Sequence, residues 1–162
     1  MSFETFAQQM VYDALFANEG NFVIQDGVWA DSGFWDDDAT WWSWGQVSAV
    51  VYDDVPYMPE GMPREYFPYI VIGDDSSTPW DTDDTLGAEV DITLDIWSRQ
   101  AGFKETKRLM SEVYDVLNRL TVVKDGYNVV DCLYQFSEAL READGETRHG
   151  VMRFKLTVQK EN

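Results

Sequence analysis

Residues 89–97 constrain the fold more than any other stretch. Val90, Ile92, Leu94 and Ile96 alternate without a break with Glu89, Asp91, Thr93, Asp95 and Trp97. Side chains along a strand point to opposite faces with a period of two, so this run predicts a strand with one face in a core. Its other face is wet or meets a neighbour. A chain with such a strand needs a sheet to hold it and an apolar layer to cover one side. The C-terminal segment repeats the pattern, setting Met152, Phe154, Leu156 and Val158 against Arg153, Lys155 and Thr157. Asp144 and Gly145 just before it form a hairpin signal, because both tolerate the positive φ that tight turns require.

Two stretches can supply the cover. Phe3, Phe6, Ala7, Met10, Val11, Ala14 and Leu15 form one apolar stripe at helical spacing over residues 3–15. Ser2 suits the N-cap, Glu4 suits the positive end of the helix dipole, and Asn18 and Gly20 are stop signals. Residues 103–120 repeat the stripe with Leu109, Met110, Val113, Val116, Leu117 and Leu120, and Asp115 and Arg119 are spaced for an i,i+4 pair. Shorter strands are predicted over residues 47–52, 69–72 (ended by Gly73) and 129–136, and Gly126 closes a turn. Residues 137–143 fit either an extension of the last of these or a helical turn. Pro56, Pro59, Pro63 and Pro68 mark a connection, and residues 74–87 read as an acidic loop. The order of helix, strands, helix, strands predicts an α+β fold: an antiparallel sheet with two helices packed on one face, in a single domain over residues 1–162.

Residues 18–46 break the pattern. Trp29, Phe34, Trp35, Trp41, Trp42 and Trp44 place six large rings within 16 residues, interleaved with Asp26, Asp31, Asp36, Asp37 and Asp38. No single period fits, so the stretch reads as a long irregular insertion after the first helix, with room for a short hairpin. The rings can fold back into a satellite core. Six of them are hard to bury on so small a sheet, and tryptophan dominates interface hot spots, so contact with another protein is the expectation. Trp97, on the outer face of its strand, joins this set.

Charge narrows the function. Thirty acids against twelve bases give a net of −18. Residues 1–98 hold 20 of the acids and a single base, Arg64. Such a surface repels phosphate, which argues against nucleic-acid binding through a basic patch. Catalytic signals are weak. His149 is the only histidine and lacks a nucleophile elbow, which predicts a turn or edge residue. Cys132, the only cysteine, lies between apolar neighbours that raise a thiol's pKa. The run from Asp81 imitates a calcium loop poorly: Gly87 stands at position seven, and position twelve is Ile92. No catalytic, cofactor-binding or metal-binding residue is predicted. No apolar run reaches the ~20 residues of a membrane span. The N-terminus lacks the order of a signal peptide, which predicts folding in a cytoplasm.

Three segments carry a resemblance: PYIVIGDD, then GAEVDITLDIWSRQAGFKETKRLMSEVYDVLN, then DGETRHGVMRFKLTVQ. In that order they resemble the phage tail-completion, or tail-terminator, family of long-tailed phages and gene-transfer agents. The likeness covers residues 1–17 and 47–160 as a pattern. It implies a structural virion protein without catalytic residues. Such a subunit forms a ring, usually hexameric, at the head-proximal end of the tail, where it caps the tube, ends polymerisation and meets the head or neck. The implied partners are copies of itself, the tail-tube protein and a head-completion or neck protein. DNA passes through without specific binding, and no membrane is involved. Residues 18–46 depart from the family pattern. Asp81, Asp83 and Asp84 are candidates to line the channel, since an acidic wall repels DNA. The same charge also suits an acidic DNA mimic that inhibits by binding. A mimic needs acids spaced along an ordered surface, whereas many here are bunched in loops.

Overall fold

The computed structural model of the chain describes residues 1–17, 24–27, 44–47, 49–53, 61 and 63–161, with 24–27 and 44–47 as strand backbone. Along the chain run α1 (Phe3–Phe16), β1 (Ile24–Gly27), β2 (Trp44–Val47), β3 (Val50–Tyr52), a 3-10 turn (Arg64–Tyr66), β4 (Tyr69–Pro79), β5 (Gly87–Ser98), α2 (Lys104–Leu117), β6 (Val122–Lys124), β7 (Tyr127–Arg141) and β8 (Arg148–Lys160). Six strands form one sheet in the order β3-β4-β5-β8-β7-β6, while β1 and β2 pair with each other as a separate antiparallel ribbon. Every pairing in the large sheet is antiparallel except β3 with β4. The fold is α+β, with both helices on one face. No helix among the described residues is long and apolar enough to cross a membrane.

The alternating strands build the core. Val90, Ile92, Leu94 and Ile96 of β5 pair in register with Leu156, Phe154, Met152 and Gly150 of β8, and the seven side chains face the helices. From above, α1 contributes Phe6, Ala7, Met10, Val11 and Leu15, and α2 contributes Leu109, Met110, Val113 and Leu117. Gly150 is required by close approach: a Cβ there would lie 2.9 Å from Thr106 Cγ2 and 3.0 Å from Met110 Sδ, so α2 sits directly on the β8 backbone. At the N-terminus, the Thr5 amide donates to Ser2 Oγ (3.2 Å), as the capping pattern predicts. The Glu4 carboxylate accepts from the Ser77 hydroxyl, which ties α1 to β4 and holds the carboxyl below the usual range. Tyr127 stacks on Phe6 (4.9 Å between centroids) and meets Phe3 edge-on (5.6 Å).

Several expectations need correction. β4 does not stop at Gly73. It runs to Pro79, with a register shift between Ile72 and Asp75, so Asp74 and Asp75 belong to a strand and the loop shrinks to residues 80–86. Residues 47–52 divide into the end of β2 and the whole of β3. α2 ends at Leu117, because Asn118 turns to an extended backbone (ψ 121°) and Arg119 then takes a positive φ of 69°. Arg119 therefore turns away from Asp115 and pairs with Asp131 (2.8 Å). Residues 137–141 extend β7 as strand, and the tight Asp125–Gly126 turn joins it to β6. The Asp144–Gly145 turn joins β7 to β8, with Asp144 Oδ1 accepting from the Glu146 and Thr147 amides (3.0 and 2.8 Å). Asn18 and Gly20, the expected helix stops, lie outside the described residues; the last described residue of that turn is Ala17.

Candidate assembly interface

The helices cover one face of the sheet. The opposite face has no cover among the described residues, and its composition changes along its length. At one end, strand register sets Tyr69 of β4, Trp97 of β5, His149 of β8 and Leu140 of β7 in a row across four strands. Trp97 and His149 stack nearly parallel, 3.9 Å apart and 8° inclined, and Tyr69 lies beyond Trp97 at 6.4 Å. Phe67 packs on Tyr69 at 5.0 Å, and the Arg99 guanidinium sits 4.4 Å over the Phe67 ring. Burial of Tyr69 raises its phenol pKa. Phe136 and Leu140 on the same face are exposed, at 47% and 39%.

His149 contradicts the expectation of a turn or edge residue. It stands in a central strand, held between two carboxylates: Nε2 lies 2.7 Å from Asp95 Oδ1, and Nδ1 lies 3.1 Å from Glu142 Oε1. Asp95 comes from the neighbouring strand, and Glu142 from the turn between β7 and β8. A ring with two protons donates to both carboxylates; a ring with one donates to only one of them. No serine or cysteine hydrogen-bonds to His149 among the described residues, so the cluster lacks the nucleophile of a hydrolytic triad. Cys132 is buried, and burial beside Asp131 pushes its thiol up to about 12, which leaves it protonated and inert. No group of potential metal ligands clusters among the described residues.

Toward the other end, the open face carries charge. Asp91 of β5 stands opposite Lys155 of β8, whose Nζ lies 3.1 Å from Glu89 Oε2, and Arg153 stands opposite Thr93. Bases of the second half of the chain thus answer acids of the first half. The loop between β4 and β5 lies at this end. All three predicted channel residues are exposed there, but not alike. Asp81 Oδ1 accepts from the Gly87 amide (3.0 Å), and the Thr82 amide closes onto the Thr85 carbonyl (2.9 Å), so Asp81 shapes its own loop. Asp83 and Asp84 are exposed in the same loop. Gly87 is fixed by space, since a Cβ would lie 2.5 Å from the Trp80 carbonyl oxygen.

Of the predicted contact residues, Trp97 is on the open face, half-buried by its stack. Trp44 opens β2 opposite Gly27. Trp29, Phe34, Trp35, Trp41 and Trp42 lie outside the described residues. His149, Asp95 and Glu142 escaped sequence reasoning. The signal was available: once residues 89–98 and 148–160 are paired antiparallel, Trp97 falls opposite His149.

A six-stranded sheet of this order, with two helices on one face, matches known proteins. The family model described as Tail completion protein gp17 matches residues 36–159. The chain belongs to this family. A curated relative, the tail completion protein gp17 of Bacillus phage SPP1, is 27% identical over 92 residues, covering 57% of this chain and 68% of the relative. A chain in the virion of a native gene transfer agent particle shares the fold with a TM-score of 0.58 at 23% identity, over 68% of this chain and 78% of that one. As a tail completion protein the chain is a structural component of the virion tail.

Proposed function

We propose that the protein assembles as a ring, hexameric as in the resemblance drawn above, that caps the tail tube, ends its polymerisation and joins the tail to the head or neck. Family membership carries this reading. The architecture suits it: a rigid sheet with helices on one side, an open face with a ring stack at one end, and a buried, inert cysteine as the only thiol. The work is done by shape and contact, with no bond made or broken. Its partners are other copies of the chain, the tube protein and a head-completion or neck protein, met at the head-proximal end after folding in the host cytoplasm. Trp97 and the aromatic insertion (Trp29, Phe34, Trp35, Trp41, Trp42, Trp44) contact those partners. Asp83 and Asp84, with Asp81 shaping their loop, approach the channel and keep DNA from sticking. Electron microscopy of tails from cells lacking the chain tests the reading. Tubes of uncontrolled length, or tails that fail to join heads, are expected; finished particles of normal length would refute it.

A further inference from the structure

The large sheet has two free margins. On β4, β3 pairs only with Tyr69, Ile70 and Val71, and no described strand lies beside Ile72 to Pro79 on that side. On β7, β6 pairs only with Tyr127, Asn128 and Val129. The next stretch is covered by the end of α2: the Arg119 amide donates to the Cys132 carbonyl (2.7 Å), and Asn118 Oδ1 accepts from the Tyr134 amide (3.2 Å). From Gln135 to Arg141 no described strand lies alongside. Such rows of amides and carbonyls are templates for pairing with another chain.

The two margins complement each other. Residues in an antiparallel ladder alternately turn their backbone groups toward the partner strand and away from it. The Tyr134 amide faces away from β8, while the Glu142 amide closes onto the Thr147 carbonyl (3.0 Å) inside the hairpin. Counting through the register shift at Tyr134/Phe136, Ser137, Ala139 and Arg141 turn their backbone outward. On β4 the Trp80 amide closes onto the Gly87 carbonyl (2.9 Å), so Pro79, Ser77 and Asp75 turn theirs outward.

We propose that β7 of one copy pairs antiparallel with β4 of a second copy, setting Arg141 opposite Asp75, Ala139 opposite Ser77, and Ser137 opposite Pro79. This deepens the ring reading and rests on it. Arg141 and Asp75 are both exposed, both on the helix side of the sheet, and neither forms an ion pair with a described residue. The missing amide of Pro79 falls at the end of the ladder, where it costs least. Beside the β7 margin lies a groove of about 480 Å³ in which Met110, Tyr114, Tyr134 and Ala139 meet Lys107 and Glu138, next to the positions this pairing gives Ser77 and Pro79.

The stagger of the contact also fits closure. Asp75 is level with Phe154 of β8 and Arg141 with Arg148, six residues apart along that strand. Each copy is therefore displaced by ~20 Å along the strands over a width of four strands, ~19 Å. That ratio tilts the strands by roughly 45°, the inclination of closed barrels, whatever the number of copies. A head-to-tail contact gives a ring when its rotation closes and a filament when it does not, and a barrel-like tilt is compatible with the closed case.

Charge reversal tests the pairing. Asp75→Arg and Arg141→Asp should each raise the concentration for half-assembly about tenfold, and the two together should restore it, because only the swap recreates an opposite pair. Assembly is read by sedimentation velocity of the full chain, alone and with purified tail tubes, and thermal melts check that each variant folds. In a Cys132→Ser background, Asp75→Cys with Arg141→Cys should give disulfide-linked multimers, while Asp75→Cys with Val123→Cys should not. Rings that form normally in both single reversals, or that cross-link no better at 75–141 than in the control, would overturn the margin pairing and leave the ring standing. A chain that stays single with and without tubes would sink the ring reading itself.

Discussion

On the face beneath α1 and α2, Ile92, Leu94, Ile96, Phe154 and Leu156 are fully buried. On the other face of the same two strands, Glu89, Asp91, Asp95, Arg153 and Lys155 remain in contact with water. The backbone is shared, so the difference lies entirely in side chains one residue apart. The covered face depends on apolar area removed from water and on close packing, both insensitive to salt and pH. The open face depends on cross-strand charge pairs and one stack of rings, which solvent weakens but a neighbouring surface would strengthen. The first kind of face holds a monomer together, and the second leaves it ready for contact.

The largest effect is expected on the covered face. Phe154 is fully buried between α2 and the sheet and meets Tyr134 edge-on at 5.9 Å. Phe154→Ala removes most of a large side chain from a site that α2 cannot collapse to fill. A loss of about 3–5 kcal/mol is expected in denaturant unfolding. A loss below about 1 kcal/mol would show that the helices do not seal that face.

A smaller effect on folding is expected at Trp97. Its ring lies on His149 at 3.9 Å and is half-buried. Trp97→Ala forfeits the stacking and some area, about 1–2 kcal/mol. Assembly should suffer more than folding does, because a ring covered by a partner loses its remaining exposed surface only in the complex. Sedimentation with tubes should show weakened association in a variant whose melt is nearly native. Stability falling as far as in Phe154→Ala with association untouched would make Trp97 a core residue instead of a contact residue.

The two faces also explain what could be read from the sequence. β5 and β8 were legible because they are central strands, polar on one side and apolar on the other, and the period of two is complete. Both helices were legible for the matching reason, a single apolar stripe. β4 beyond Gly73 was not. Asp74, Asp75, Ser76 and Ser77 lie on a margin where solvent reaches the strand, and their composition imitates a loop. The second half of β7 was ambiguous for the same reason, since no second strand among the described residues lies beside Ser137, Glu138 and Ala139 to demand apolar partners. The candidate interface was half legible. Trp97 announced itself by alternation, but His149 gains Asp95 and Glu142 only from register and a turn, relations between distant segments that no local pattern carries. Arg119 misled because Asp115 stands at helical spacing, while the helix ends at Leu117, before the pair can form.

The smallest expected effect lies at the charged end of the open face. Lys155 Nζ is 3.1 Å from Glu89 Oε2, and hydrogen bonding to Glu89 raises the lysine's pKa. Because the folded value lies above the unfolded one, the contribution is fully present below the ordinary lysine pKa and is lost as pH rises through the folded value, on the alkaline side of ~10.5. Both side chains are about two-thirds covered, yet the ammonium still meets water, so screening leaves little net energy. Lys155→Met should therefore lower the melting temperature less than either substitution above. The difference from wild type should shrink in about 1 M salt, where the screening length falls to about 3 Å. It should close further as pH climbs past the lysine range, since the wild-type ammonium is then neutral too. A larger, salt-insensitive loss would mean that the Lys155 stem is packed like a core residue, and the open face would then be less open than its charges suggest.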